Sequence, residues 1–240
     1  MFGKFIMDNN NTISPKQSSQ QLMTRLSLLK NSTIMDADEL ALLRWYIKET
    51  ELLHQKMYSD ELQSVQKQNA DSDSYNDSGL IPVNYFVKRS RYSHIIHLAS
   101  LGEKYLLNSC HKLSTALGSS VIFELNEIAG DKWTKERKFV QRYGNFEIPS
   151  DLWERFSTIY FVRNVLVHEN GEVTALTDNK REELRNKYAR AHGVSVEGSE
   201  LEIRPEFVNS CVDVLQEFMV FLDAKLADVI DRAIKLRSVT

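Results

Sequence analysis

Apolar residues recur three or four positions apart along most of this chain, the period of a helix with one buried face. Leu22, Leu26 and Leu29 follow Ser14 and Pro15, a cap and a first-turn proline, and predict a helix over about 15–30. The first dozen residues lack such a pattern and are expected to fray. From Asp36 to about Lys67 a longer helix is predicted, acidic at its start and apolar at Leu40, Leu43, Ile47, Leu52 and Leu53. The pattern then stops in a Ser/Asp/Asn tract over 69–80, which reads as a linker between an N-terminal helical extension, 1–68, and a main domain, 81–240.

Within the main domain, residues 83–117 predict a long helix ending at Gly118, and 121–130 a loop with one helical turn. A basic amphipathic helix is expected over 131–143, ended by Gly144. Ser150 is the expected N-cap of an apolar helix that runs from Asp151 to His168 and stops at Gly171. A charged helix is expected over 178–191. Val194 and Val196, then Leu201 and Ile203, alternate around Glu197-Gly198-Ser199 and predict a small β-hairpin. Pro205 opens a final amphipathic helix of about 30 residues. The expected fold class is all-α, a helical bundle with one hairpin and an N-terminal extension.

Composition supports this. Nine glycines and four prolines in 240 residues are about 5%, less than half of average usage and too few for the corners of a sandwich or barrel. Cys110 and Cys211 are too few for a disulfide framework and lack zinc-site spacing, which suits a reducing cytosol. No apolar run approaches the length of a membrane span, and no secretory leader is evident, so a cytoplasmic protein is expected. A formal charge of −3 argues against a bulk electrostatic nucleic-acid binder and leaves room for a local basic site.

The chemistry concentrates in Ile159-Tyr-Phe-Val-Arg163-Asn164-Val-Leu-Val-His168-Glu-Asn-Gly171. Polar groups inside an apolar helix are costly unless they are paired or used. On a helical wheel Asn164 and His168 differ by about 40° and share a face, while Arg163 lies about 140° from His168. A long guanidinium side chain can still converge with the imidazole on one anion. His168 also lies near the negative end of the helix, which favours the imidazolium.

This segment resembles the R-x4-H signature of HEPN domains, in which a polar residue, often Asn, follows the arginine. The resemblance spans roughly residues 81–235 and is nearest to stand-alone bacterial HEPN proteins of stress response and phage defence. It implies a metal-independent endoribonuclease or toxin whose active site forms where two motif helices meet across a homodimer, leaving 2',3'-cyclic phosphate ends. His168 would then move the proton between the ribose 2'-OH and the leaving oxygen. Arg163 would hold the phosphate oxygens, and Asn164 would orient either group. In HEPN toxins modified by a nucleotidyltransferase antitoxin, Tyr commonly stands two positions after the His; here Asn170 occupies it, which speaks against that modification. The alternative is a non-catalytic HEPN-like module that binds RNA or protein in a larger assembly. An antitoxin or regulatory protein is a further expected partner.

Lys88, Arg89 and Arg91, with Lys132, Lys135, Lys138 and Arg142, are candidate RNA-phosphate contacts or else a solvated face. His94 and His97 are three apart on one helix, but Cys110 lies roughly 20 Å beyond His97, so no metal site is expected. Glu172 breaks an H-E-x-x-H reading of His168, and neither a phosphate-cradling glycine loop nor a G-x-S-x-G elbow occurs. No cofactor is expected.

Overall fold

The apolar periodicities become five long helices in a computed structural model of the chain, which describes residues 33–70, 76–174, 176–179, 181–182 and 193–238. These are α1 (Thr33–Ala70), α2 (Leu80–Leu117), α3 (Lys132–Gly144), α4 (Ser150–His168) and α5 (Pro205–Ser238). A short 3-10 turn at Gly118–Ser120 precedes the 121–130 region and a second, at Leu125–Glu127, lies within it. The helix expected over 15–30 lies outside the described residues, as does most of that expected over 178–191. The fold is all-α with a single two-stranded hairpin among the described residues. None of the described helices is long and apolar enough to cross a membrane.

Helix α2 is the spine, packing against α1, α3, α4 and α5. Gly102 lets it come close to two of them: a Cβ there would lie 2.9 Å from both Leu215 and Phe156. Phe156 of α4 stacks on Phe218 of α5 with ring centroids 3.9 Å apart, and Tyr105 donates a hydrogen bond to the Met219 carbonyl at 3.1 Å. Leu40, Leu43 and Ile47 of α1 enter the same core. Arg44 also pairs with Asp213 at 2.8 Å and Lys104 with Glu39 at 2.7 Å. The segment expected as an extension is therefore packed against the bundle through α2 and α5.

Helix ends follow local chemistry. The Asp131 side chain accepts from the Thr134 N–H at 2.7 Å and caps α3, and Asn145, at φ 53°, takes the left-handed position that ends it. Helix α4 starts one residue earlier than Ser150 capping would give. Pro149 is its cap residue, because the proline carbonyl accepts the first helical bond, from Trp153 N–H at 2.9 Å, and Ser150 is already helical. Strands β1 (Val194–Glu197) and β2 (Glu200–Ile203) pair antiparallel, Val194 opposite Ile203 and Glu197 opposite Glu200.

Several titratable groups are buried among these helices. Between α1 and α2, Arg91 grips Glu51 with two hydrogen bonds of 2.8 and 3.0 Å. Burial pulls the Glu51 pKa up, but the Arg91 guanidinium outweighs it and holds the carboxyl below its ordinary value. His94 packs edge-on against Tyr46, and burial pushes its pKa down to about 4 despite the charge of Glu51. Glu136 on α3 is buried, and neither carboxyl oxygen has a hydrogen-bond partner among the described residues; burial and the charge of Glu103 push its pKa up to about 7 against the pull of Lys132.

The last two groups give opposite pH dependences. His94 takes up a proton more readily in the unfolded chain, so its contribution falls on acidification, by about 2 kcal/mol between pH 8 and pH 5. Glu136 takes up its proton more readily in the native state, so its contribution rises over the same interval, also by about 2 kcal/mol. In urea titrations His94→Leu should gain on the wild type as pH falls from 8 to 5, and Glu136→Gln should lose on it. Parallel stability profiles for either variant and the wild type would contradict its assignment.

Candidate functional site at the end of helix α4

Helix α4 buries Leu152, Phe156, Ile159, Val162, Val165 and Leu166, so one side is fixed in the core and the intervening residues reach the surface. Asn164 and His168, one turn apart, line a single pocket of about 190 Å³ with Phe161, Val165, Glu169 and Leu176. Their shared helical face brings this about. His168 is exposed while Asn164 is half-buried, so the imidazole sits at the mouth and the amide further in.

Arg163 stands beside the pocket, outside its lining. Its Nη1 donates to Asn164 Oδ1 at 2.8 Å, and its guanidinium lies 5.8 Å from the centre of the Tyr160 ring, toward the preceding turn. Its buried Nε has no hydrogen-bond partner among the described residues. Arg163 is not among the residues lining the His168 pocket; it is tied to that lining through its hydrogen bond to Asn164. With its oxygen bonded to the arginine, the amide can still donate from its nitrogen to a bound acceptor.

The end of α4 is braced by residues distant in sequence. The N–H groups of Glu169 and Gly171 both donate to the Val165 carbonyl at 3.1 Å. Asn170 and Gly171 both have positive φ, 52° and 83°. Arg89 of α2 donates to Asn170 Oδ1 at 2.7 Å. The chain then pairs with the hairpin: Leu201 N–H donates to the Gly171 carbonyl at 2.8 Å and Val173 N–H to the Ser199 carbonyl at 2.7 Å. Tyr92 hydrogen-bonds the Leu201 carbonyl, and its ring lies against Gly171. The hairpin thus fixes where α4 stops and hence where His168 projects.

Gly171 cannot be replaced without strain. Its φ disfavours a side chain, and a Cβ would lie 2.6 Å from the Tyr92 hydroxyl. Gly171→Ala is expected to cost about 2 kcal/mol, measurable as a fall in thermal midpoint, where Gly198→Ala, with open space around it, costs less.

The seven basic candidates do not form one patch. Lys88 pairs with Glu200 at 2.6 Å, Arg89 lies 3.6 Å from the same carboxylate, and Arg91 is held by Glu51. Of these three, Arg89 bonds the end of α4 at Asn170, and the charges of all three are largely met by hairpin and α1 carboxylates. Lys132 lies 3.4 Å from Glu103, Lys138 donates to the Ala129 carbonyl, and Arg142 stacks over Phe123. Lys135 lines a second cleft with Cys110 and His111, about 30 Å along α2 from Arg89. Tyr92, Glu200 and the hairpin brace were not legible as site-forming residues, since each acts through a contact across more than a hundred residues or through a single carbonyl. Among the described residues no group of three His, Cys, Asp or Glu side chains is placed to hold a metal ion. Comparison of the chain with protein-family models, curated proteins and solved structures finds no match.

Proposed function

We propose that the protein is a metal-independent endoribonuclease of HEPN type, acting in the cytoplasm in stress response or phage defence, with an active site completed by a second copy of the chain. The observation that carries this reading is the pocket shared by Asn164 and His168, with Arg163 bonded to the Asn164 amide. An exposed imidazole at a helix end can take the proton from a ribose 2'-OH or return it to the leaving oxygen. The arginine can neutralise the pentacoordinate phosphate once RNA is bound. A pocket of about 190 Å³ holds little more than one phosphate and its ribose contacts, so a two-fold partner presenting its own His168 would supply the second proton-transfer group. An antitoxin or other regulatory protein would act by covering this helix end.

The test is cleavage of RNA by the purified chain in EDTA, with 2',3'-cyclic phosphate ends expected, alongside light scattering, where a mass of twice the 27.7 kDa chain is expected. A second reading, a non-catalytic module within a larger assembly, draws on the exposed Leu42, Trp45, Leu52 and Leu53 of α1, an apolar surface of the kind partner proteins cover. Intact RNA after incubation with folded dimer would select it.

A further inference from the structure

Between the second half of α2, the 121–126 segment and α3 lies a cleft of about 560 Å³, a size that accommodates a small-molecule ligand. It is far from the His168 pocket. Tyr92 marks the level of Gly171 on α2, and Cys110, which lines the cleft, is about 27 Å further along that helix.

Three features of its lining stand out. Glu136 is 1% exposed, lines the cleft, and has two carboxyl oxygens with no hydrogen-bond partner among the described residues. Native proteins rarely leave a buried carboxyl in that state unless something else binds it. Phe139, Val121 and Leu125 supply apolar walls against which a planar ring can lie. Lys132 and Lys135 also line the cleft; Lys132 pairs at 3.4 Å with Glu103, and Lys135 has no ion pair among the described residues.

Each feature limits the ligand. Two bare oxygens of one carboxylate ask for two parallel N–H donors, as in a guanidinium, an amidine or the N1–H and N2–H edge of guanine. The apolar walls favour a flat ring over a flexible cation. Glu124 also lines the cleft and offsets one lysine, while Lys135, with no ion pair among the described residues, calls for a ligand with an anionic group beyond its donor edge. A guanine nucleotide has all three: donor edge, planar ring and phosphate.

We propose that this cleft is a guanine-nucleotide site, with Glu136 reading the N1–H and N2–H edge and Lys135 and Lys132 meeting the phosphate. The site is independent of the nuclease reading and stands or falls separately from it. His111, Ser114 and Asn126 line the same cleft and offer polar groups to the ribose.

Calorimetric titration of the full chain tests this with GMP, IMP, AMP and guanosine. GMP should bind at least tenfold more tightly than AMP, which lacks the paired donors, with IMP, lacking only the amino group, between them. Glu136→Gln should weaken GMP at least tenfold while the helical circular dichroism is unchanged. Lys135→Met, on the half-buried rim, should weaken GMP several-fold and leave guanosine unaffected. A guanine-ended trinucleotide bound tenfold more tightly than GMP would assign the same site to RNA, and GMP bound at least as tightly would assign it to the free nucleotide. Equal affinity for GMP and AMP, unchanged GMP binding by Glu136→Gln, or no saturable binding of GMP would overturn the proposal.

Discussion

His168→Ala should lower RNA cleavage by about 10²- to 10⁴-fold, the range in which a positioned proton-transfer group contributes. The loss should fall on kcat and leave RNA affinity nearly intact, since the imidazole acts on the moving proton more than on the bound phosphate. Stability should change by no more than about 0.5 kcal/mol, because His168 is exposed and supports none of the core. Arg163→Lys is the informative partner variant: it keeps the charge but removes the planar fork that donates to Asn164 Oδ1. Its cleavage should fall by about 10²-fold. Asn164→Ala, which frees the guanidinium from its tether without removing it, should fall less than either. Wild-type cleavage by His168→Ala in a folded, dimeric preparation would remove the catalytic assignment.

The second large effect is expected at Arg91. Arg91→Ala leaves Glu51, itself 8% exposed, without its guanidinium partner, and it also removes the Nη1 bond to the Ile203 carbonyl at 3.2 Å. Stranding one member of a buried pair costs about 3 kcal/mol, or roughly 10 °C in the melting midpoint of a chain this size. Because this residue ties α1, α2 and β2 together, the hairpin that braces Gly171 should loosen as well. Replacing both partners, Arg91→Leu with Glu51→Leu, should recover most of the loss, since a matched apolar pair leaves no unmet charge. If Arg91 served chiefly as a phosphate contact, Arg91→Ala would instead weaken RNA binding with the melting midpoint unchanged.

The same pairing shows where sequence reading of the basic residues ran out. Lys88, Arg89 and Arg91 lie within four positions of one another, a cluster that as sequence is equally a phosphate-binding strip or a set of structural ion pairs. Their carboxylate partners are Glu200, Glu202 and Glu51, between 40 and 114 residues away. No local pattern encodes such a match. Asn164 and His168 are the opposite case: four residues apart on one helix, they share a face whatever surrounds them, and they do line one pocket. Arg163 falls between these cases. Its side chain is long enough to go either way, and its neighbours Asn164 and Tyr160 now hold it away from the pocket lining. Glu136 falls on the apolar face of its helix, three residues from Trp133 and from Phe139, but that position alone does not show that α2 and the 121–126 segment meet it beside a cleft.

The sequence by itself determined the five described helices, their ends to within a few residues, the hairpin and the common face of Asn164 and His168. Each depends on backbone period, capping and turn chemistry that act over a few residues. Only the tertiary structure decided that α1 packs into the bundle, that the basic residues of α2 are bound by distant carboxylates, that the hairpin fixes the end of α4, and that Glu136 is buried beside a cleft. Burial and ion pairing depend on which surfaces meet when the helices pack, and helical periodicity marks a face for burial without specifying the face opposite it.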